Sequence, residues 1–302
     1  KKFIPLIGLF ILSTMLFSPL HAQKDAAVKV VVAGTSHGHS GWILNKLDRP
    51  EMQVIGIYEP DQELAEKQSL RYKIPKELFF NDLKMALDKL KPEAVLAFGA
   101  IKEHLEVVEV AAPLGIHIMV EKPLAISMAE SEAMVAAARE SGAFLMTAYR
   151  LHNEPGTHAM IDAVRGGAIG DAVYFAATFG FQTQLGNHRL KAGHWGGALP
   201  DVGVYCLNAA RHVFAAEPVA VQAMASRPTA DPRFAEIDAS LAVTLRFPGD
   251  RLAQFFCSFG SAETETIRIV GSKAELILDP AFKFDSVLQM TIRTPGSEQR
   301  HT

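Results

Sequence analysis

Val28-Lys29-Val30-Val31-Val32-Ala33 runs without a break into Gly34-Thr35-Ser36-His37-Gly38-His39-Ser40-Gly41, after which Trp42 to Leu47 carries helical patterning. A β-branched strand that turns through glycines into a helix aims backbone N–H groups and a positive helix end at a phosphate. The spacing departs from G-x-G-x-x-G, because position 36 is Ser and the glycines fall at 34, 38 and 41. The next strand candidate, Val54 to Tyr58, closes on Glu59, 25 residues beyond Gly34. An acid there can accept hydrogen bonds from both ribose hydroxyls and repel a 2′-phosphate. The cofactor reading is therefore NAD, with NADP as the alternative, and Gly34, Ser36, Gly38, His39 and Glu59 are candidate contacts.

Outward from this stretch, short apolar runs alternate with segments of helical length as far as Thr147. Strands are expected at Val28 to Ala33, Val54 to Tyr58, Ala94 to Ala97, Ile116 to Val120 and Phe144 to Thr147. Helices are expected at Gln62 to Arg71, Asp82 to Leu90, His104 to Leu114 and Met128 to Ser141. That alternation predicts a doubly wound parallel sheet. Gly115 and Gly142 read as left-handed helix ends, and Ser127 with Glu130 as a capping box. After Thr147 the pattern changes to strands joined by tight turns such as Pro248-Gly249-Asp250, with helices only near His158 to Arg165 and Val202 to Phe214. The expectation is an α+β domain with a large open, mostly antiparallel sheet.

The composition agrees with two globular domains. The chain has 302 residues, 49% hydrophobic and 21% charged, which excludes a wholly disordered or collagen-like chain. A net charge of −3 with scattered Lys and Arg leaves no basic field for nucleic acid, so small molecules are the expected partners. Lys1-Lys2, the apolar block Phe3 to Phe17 and Leu20-His21-Ala22 read as a secretory signal peptide cleaved before Gln23. The expected domains are thus 1–22 as signal peptide, 23–148 as the nucleotide-binding unit and 149–302 as the substrate-binding and oligomerisation unit. The product would be periplasmic or secreted, free of the membrane after cleavage, with a homo-oligomer as the expected assembly. Cys206 and Cys257 are expected as buried thiols, because nothing in their spacing indicates a bridge.

The fifth strand ends in Val120-Glu121-Lys122-Pro123-Leu124. An acid and a lysine at the carboxyl end of a parallel strand stand on the rim where such sheets bind ligands. Glu-Lys-Pro in this position resembles the Gfo/Idh/MocA oxidoreductases. The likeness continues in Tyr149-Arg150-Leu151-His152-Asn153-Glu154-Pro155, in Gly196-Gly197-Ala198-Leu199-Pro200-Asp201-Val202-Gly203-Val204-Tyr205-Cys206-Leu207-Asn208 and in Arg246-Phe247-Pro248-Gly249-Asp250. These stretches resemble the glucose-fructose oxidoreductase branch, which has Tyr where most of the family has a catalytic His. The resemblance implies a Rossmann-type first domain, a nicotinamide cofactor also contacted by His104, Glu121 and Lys122, and a sugar or related polyol as substrate. It departs at Gly99-Ala100, where the family usually has Thr-Pro.

Tyr205 is then the candidate acid/base, Lys122 the cation that lowers its pKa, and Asp201 the group that holds the substrate. Asp201 as a helix N-cap and Tyr205 as a core aromatic are the structural alternatives. Arg150 and His188, with Trp195, are candidate substrate contacts. His37 and His39 stand two apart in a tight loop and seldom complete a metal shell without further ligands, so no metal is expected. His117 reads as a hydrogen-bonded core histidine. Two other readings stay open: an NAD-dependent glycoside hydrolase of the same fold, and a non-catalytic nucleotide- or sugar-binding module.

Overall fold

A computed structural model of the chain describes residues 26–301. The leader read at 1–22 lies outside these residues. The first half comprises β1 (Val28–Ala33), α1 (Ser40–Leu44), β2 (Met52–Tyr58), α2 (Gln62–Tyr72), β3 (Phe79–Phe80), α3 (Leu83–Leu90), β4 (Ala94–Ala97), α4 (His104–Ala111), β5 (His117–Glu121), α5 (Met128–Ser141) and β6 (Leu145–Ala148). Its six strands are all parallel in the order β3-β2-β1-β4-β5-β6, with helices on both faces. Helix ends follow their residues: Asp61 accepts from Glu63 and Leu64 N–H, Ser127 accepts from Glu130 N–H, and Gly142 closes α5 at φ +70°.

The strand order reverses between β1 and β4, where doubly wound sheets open a crevice at their carboxyl ends. Ala33 pairs with Tyr58 on one side and Ala97 on the other, and Ala97 pairs in turn with Val120. That register lines up Gly34, Glu59, Gly99 and Glu121-Lys122 along one rim. At the reversal a Cβ on Gly34, whose φ is +73°, would stand 2.6 Å from Gly99 Cα. Only glycine therefore fits at 34, while a Cβ at Gly99 would instead stand 2.2 Å from the Glu103 carboxylate, which accepts from Ala100 N–H.

The second half carries α6 (Pro155–Arg165), β7 (Ala172–Gln182), α7 (Val204–Phe214), β8 (Ala220–Ser226), β9 (Ser240–Phe247), β10 (Arg251–Ser258), β11 (Gly260–Gly271), β12 (Glu275–Leu278), β13 (Met290–Thr294) and β14 (Ser297–His301). Its eight-stranded sheet runs β14-β13-β12-β11-β7-β10-β9-β8, antiparallel except for the β7–β10 pair. Alternate residues Phe175, Ala177 and Phe179 of β7 with Ala253, Phe255 and Cys257 of β10 enter one core with Cys206, Ala210 and Val213 of α7. The period of two in the strands and the helical spacing in α7 produce this layer. Both cysteines are buried free thiols.

Two expectations need correction, and two strands go beyond them. His117 is exposed, because it opens β5 where the edge of the layer ends, and its Nδ1 accepts from Phe144 N–H at 3.2 Å. β11 is long, over Gly260–Gly271, because polar Thr264, Glu265 and Thr266 also pair along β7. The helix expected from Val202 begins as a π-helical turn over Leu199–Gly203 before α7. The strand β14 is exposed throughout and lacks the apolar alternation by which strands are read.

Candidate active site

The rim of the parallel sheet and the start of α7 meet at Lys122. This side chain is buried, and its Nζ donates to Asp201 Oδ1 and to the Asp201 backbone oxygen, both at 2.6 Å. An ammonium group has three N–H donors, so one remains for a ligand in the adjoining cavity. That cavity is lined by His37, Glu121, Lys122, His188, Arg189 and Asp201, among others. Gly196 permits its wall to fold this closely, since a Cβ there would stand 2.3 Å from the Arg189 oxygen.

Asp201 is held from two sides. Arg189 Nε lies 2.8 Å from its Oδ2, an ion pair out of line for a hydrogen bond. Burial by itself would raise the Asp201 pKa, but Arg189 and Lys122 outweigh it and hold the carboxyl far below the usual range. Asp201 lies inside the π-helical turn Leu199–Gly203, whose N-cap is Ala198, so the N-cap alternative fails. Its two carboxylate oxygens meet Lys122 and Arg189.

Tyr205 follows one turn later and packs its ring against Tyr149, Phe179 and Phe282. Lys122 Nζ stands 4.9 Å from the centre of the ring, over its face. The expectation that Lys122 lowers the phenol pKa is not met. Burial and the Asp201 carboxylate push Tyr205 well above its ordinary value, while Arg150 opposes them. The lysine charge is answered by Asp201, so a net negative environment reaches the phenol. Tyr205 is thus a protonated group, suited to giving a proton to a developing alkoxide.

Glu121 links the glycine loop to β5. Its Oε1 lies 2.7 Å from His39 Nδ1 and 4.0 Å from His37 Nδ1, and its Oε2 accepts from Lys122 N–H. His39 stacks on Trp42 at 3.8 Å, and the Arg150 guanidinium covers the other parts of this aromatic group, Trp42 and Phe284. Arg150 lies near Tyr205 and Glu121, which raise its pKa against the larger lowering by burial. His188 lines the cavity beside His37, and burial followed by the Arg189 charge lowers its pKa to about 4, so it is a neutral hydrogen-bonding group there.

The crevice at the β1–β4 reversal is lined by Gly34, Tyr58, Gly99 and His104. His104 Nδ1 donates to the Leu124 oxygen, leaving the buried Nε2 as an acceptor without a partner. The Ser36 hydroxyl is also buried and unpartnered, and open space lies over Gly38. Unsatisfied polar atoms beside a glycine-walled crevice at the strand reversal fit a dinucleotide. Glu59 is turned onto the loop itself: its Oε2 accepts from Thr35 N–H at 2.8 Å and Thr35 Oγ1 at 2.6 Å. Burial raises its pKa against those bonds.

Sequence reasoning missed Arg189 and the meeting of His37 with Glu121. Arg189 Nη2 lies 3.1 Å from His37 Nε2, across 152 residues. No spacing signal encodes such a contact; only its neighbour His188 was marked.

The arrangement agrees with known proteins. Residues 28–149 match the oxidoreductase family with an NAD-binding Rossmann fold, and residues 157–277 match the GFO/IDH/MocA C-terminal domain. The trans-1,2-dihydrobenzene-1,2-diol dehydrogenase of Mus musculus is 30% identical over 252 residues, spanning 81% of this chain and 72% of that protein. The D-xylose 1-dehydrogenase [NADP(+)] of Haloarcula marismortui is 32% identical over 189 residues, 59% of this chain and 51% of that protein. The crystal structure of an aldose-aldose oxidoreductase from Caulobacter crescentus complexed with glycerol superposes with a TM-score of 0.78 at 27% identity, covering 91% of this chain and 83% of that one.

Proposed function

The chain belongs to the GFO/IDH/MocA family of NAD(P)-dependent oxidoreductases, and we propose that it moves hydride between the cofactor and a carbinol carbon of a sugar or related polyol. The observation that carries this reading is the buried Lys122–Asp201 pair at 2.6 Å, with Tyr205 one turn further on. The sugar-directed relatives support the substrate class.

In this reading Gly34, Ser36, Gly38 and His104 hold the cofactor, whose nicotinamide supplies hydride transfer when bound. Lys122 gives its third N–H to the substrate oxygen and polarises it. Tyr205 gives that oxygen a proton in the reductive direction and takes it back in the oxidative one. Asp201 and Arg189 fix the Lys122 ammonium, so that little reorganisation accompanies the charge change. His188 and Arg150 frame the substrate. Glu59, a carboxylate at the end of β2, supports a preference for NAD over NADP.

The test is a screen of aldoses and polyols with NAD(H), following nicotinamide absorbance. Substrate-dependent formation or consumption of NADH is expected. Release of free sugar from glycosides without net NADH would replace this reading by the hydrolase one. The leader at 1–22 supports an exported protein; intact-mass analysis of the natural product should find a mature chain starting near Gln23.

A further inference from the structure

His37 and His39 come from the glycine loop and Glu121 from the end of β5, 82 residues beyond His39, yet their ligating atoms all lie within 4.8 Å of one another. The rings of the two histidines meet edge to face at 4.4 Å. Zinc ligands about 2.0 to 2.2 Å from the metal stand about 3.4 Å apart in a tetrahedron. The two distances here, 2.7 Å from His39 Nδ1 and 4.0 Å from His37 Nδ1 to the same Glu121 oxygen, bracket that value. Small rotations of the side chains would equalise them. His37 and Glu121 also line the cavity that holds Lys122 and Asp201.

We propose that His37, His39 and Glu121 form a binding site for a divalent cation of the zinc class, with its remaining positions open to the Lys122 cavity. Two imidazoles and one carboxylate suit zinc, cobalt, nickel or ferrous ions better than magnesium or calcium. Three protein ligands leave room for water or a substrate oxygen. The third ligand is what two histidines in a loop lack, and the fold supplies it from β5. Coordination through Nδ1 displaces the His39 N–H, which now donates to that nitrogen at 3.2 Å, and places the His37 proton on Nε2, where Arg189 Nη2 now stands at 3.1 Å. Loading the metal therefore requires that guanidinium to turn onto Asp201, which its Nε already meets at 2.8 Å.

The test uses tag-free protein stripped with a chelator and titrated with Co²⁺ and Zn²⁺, reading the visible cobalt bands and calorimetric heats. One equivalent should bind with a dissociation constant in the micromolar range or below, with the intense cobalt bands of low coordination number. His39→Ala, His39→Gln and Glu121→Gln should each weaken binding by at least about tenfold, while His117→Ala leaves it unchanged. The wild-type spectrum does not depend on any variant folding. Absence of saturable binding to wild-type protein up to millimolar metal, or unchanged affinity in folded His39→Gln and Glu121→Gln proteins, would overturn the proposal.

Discussion

Lys122 Nζ meets Asp201 twice, at the carboxylate and at the backbone oxygen, each 2.6 Å away, and so joins the end of β5 to the turn that starts α7. This contact ties the parallel-sheet unit to α7 and orients the ammonium group. Removing one member of a buried ion pair costs about 3 to 5 kcal/mol when the other is left wholly uncompensated, an upper bound here because Arg189 also meets Asp201. Lys122→Met should therefore lower stability as well as turnover, because Asp201 then retains only Arg189. Chemical unfolding of both proteins at neutral pH measures the first effect.

The same pair sets an acid limit. The folded Asp201 pKa lies below its unfolded value of 3.8, so its stabilising contribution is complete above that pH and declines as the pH falls through it. Asp201→Asn should be less stable than wild type near neutrality, and the gap should narrow below about pH 4. Thermal unfolding across that range follows it; a gap independent of pH would mean that the carboxylate charge contributes nothing.

His188 gives a separate slope. Its pKa falls from 6.5 unfolded to about 4 folded, so the unfolded chain binds the extra proton and stability drops as the pH is lowered between those values. His188→Gln should flatten this part of the stability profile. An unchanged slope would show that other groups account for it.

These two groups also show what was legible beforehand. The parallel sheet, its rim and Lys122 followed from alternating apolar runs and from residues at strand ends, where side-chain period and strand direction fix position. Lys122, Asp201 and Tyr205 were readable as a set by resemblance, and the fold brings them together. Their electrostatics were not. Whether Lys122 faces the Tyr205 hydroxyl or Asp201 depends on Arg189 and on the π-helical turn at Leu199–Gly203, and neither leaves a spacing signal. His37 with Glu121 was hidden for the same reason, since the ligands are brought together by a register between distant segments.

In the proposed function, the preference for NAD rests on Glu59. Its carboxylate, bound to Thr35, places negative charge at the end of β2. A 2′-phosphate beside it is disfavoured by about 1 to 3 kcal/mol, so NADH should bind more tightly than NADPH, and Glu59→Gln should reduce the ratio by about tenfold. Fluorescence titration of both cofactors decides it; equal affinities in the wild-type protein would remove Glu59 from this role.

The central claim is that Tyr205 moves the substrate proton beside a Lys122 held by Asp201. Tyr205→Phe keeps the ring among Tyr149, Phe179 and Phe282 and removes only the hydroxyl. Turnover of a responsive sugar and binding of NADH, measured on this one variant, test the claim most directly. The account predicts turnover lower by about 10² to 10⁴ with cofactor affinity unchanged. Turnover near that of the wild type would contradict it and leave Tyr205 a core aromatic.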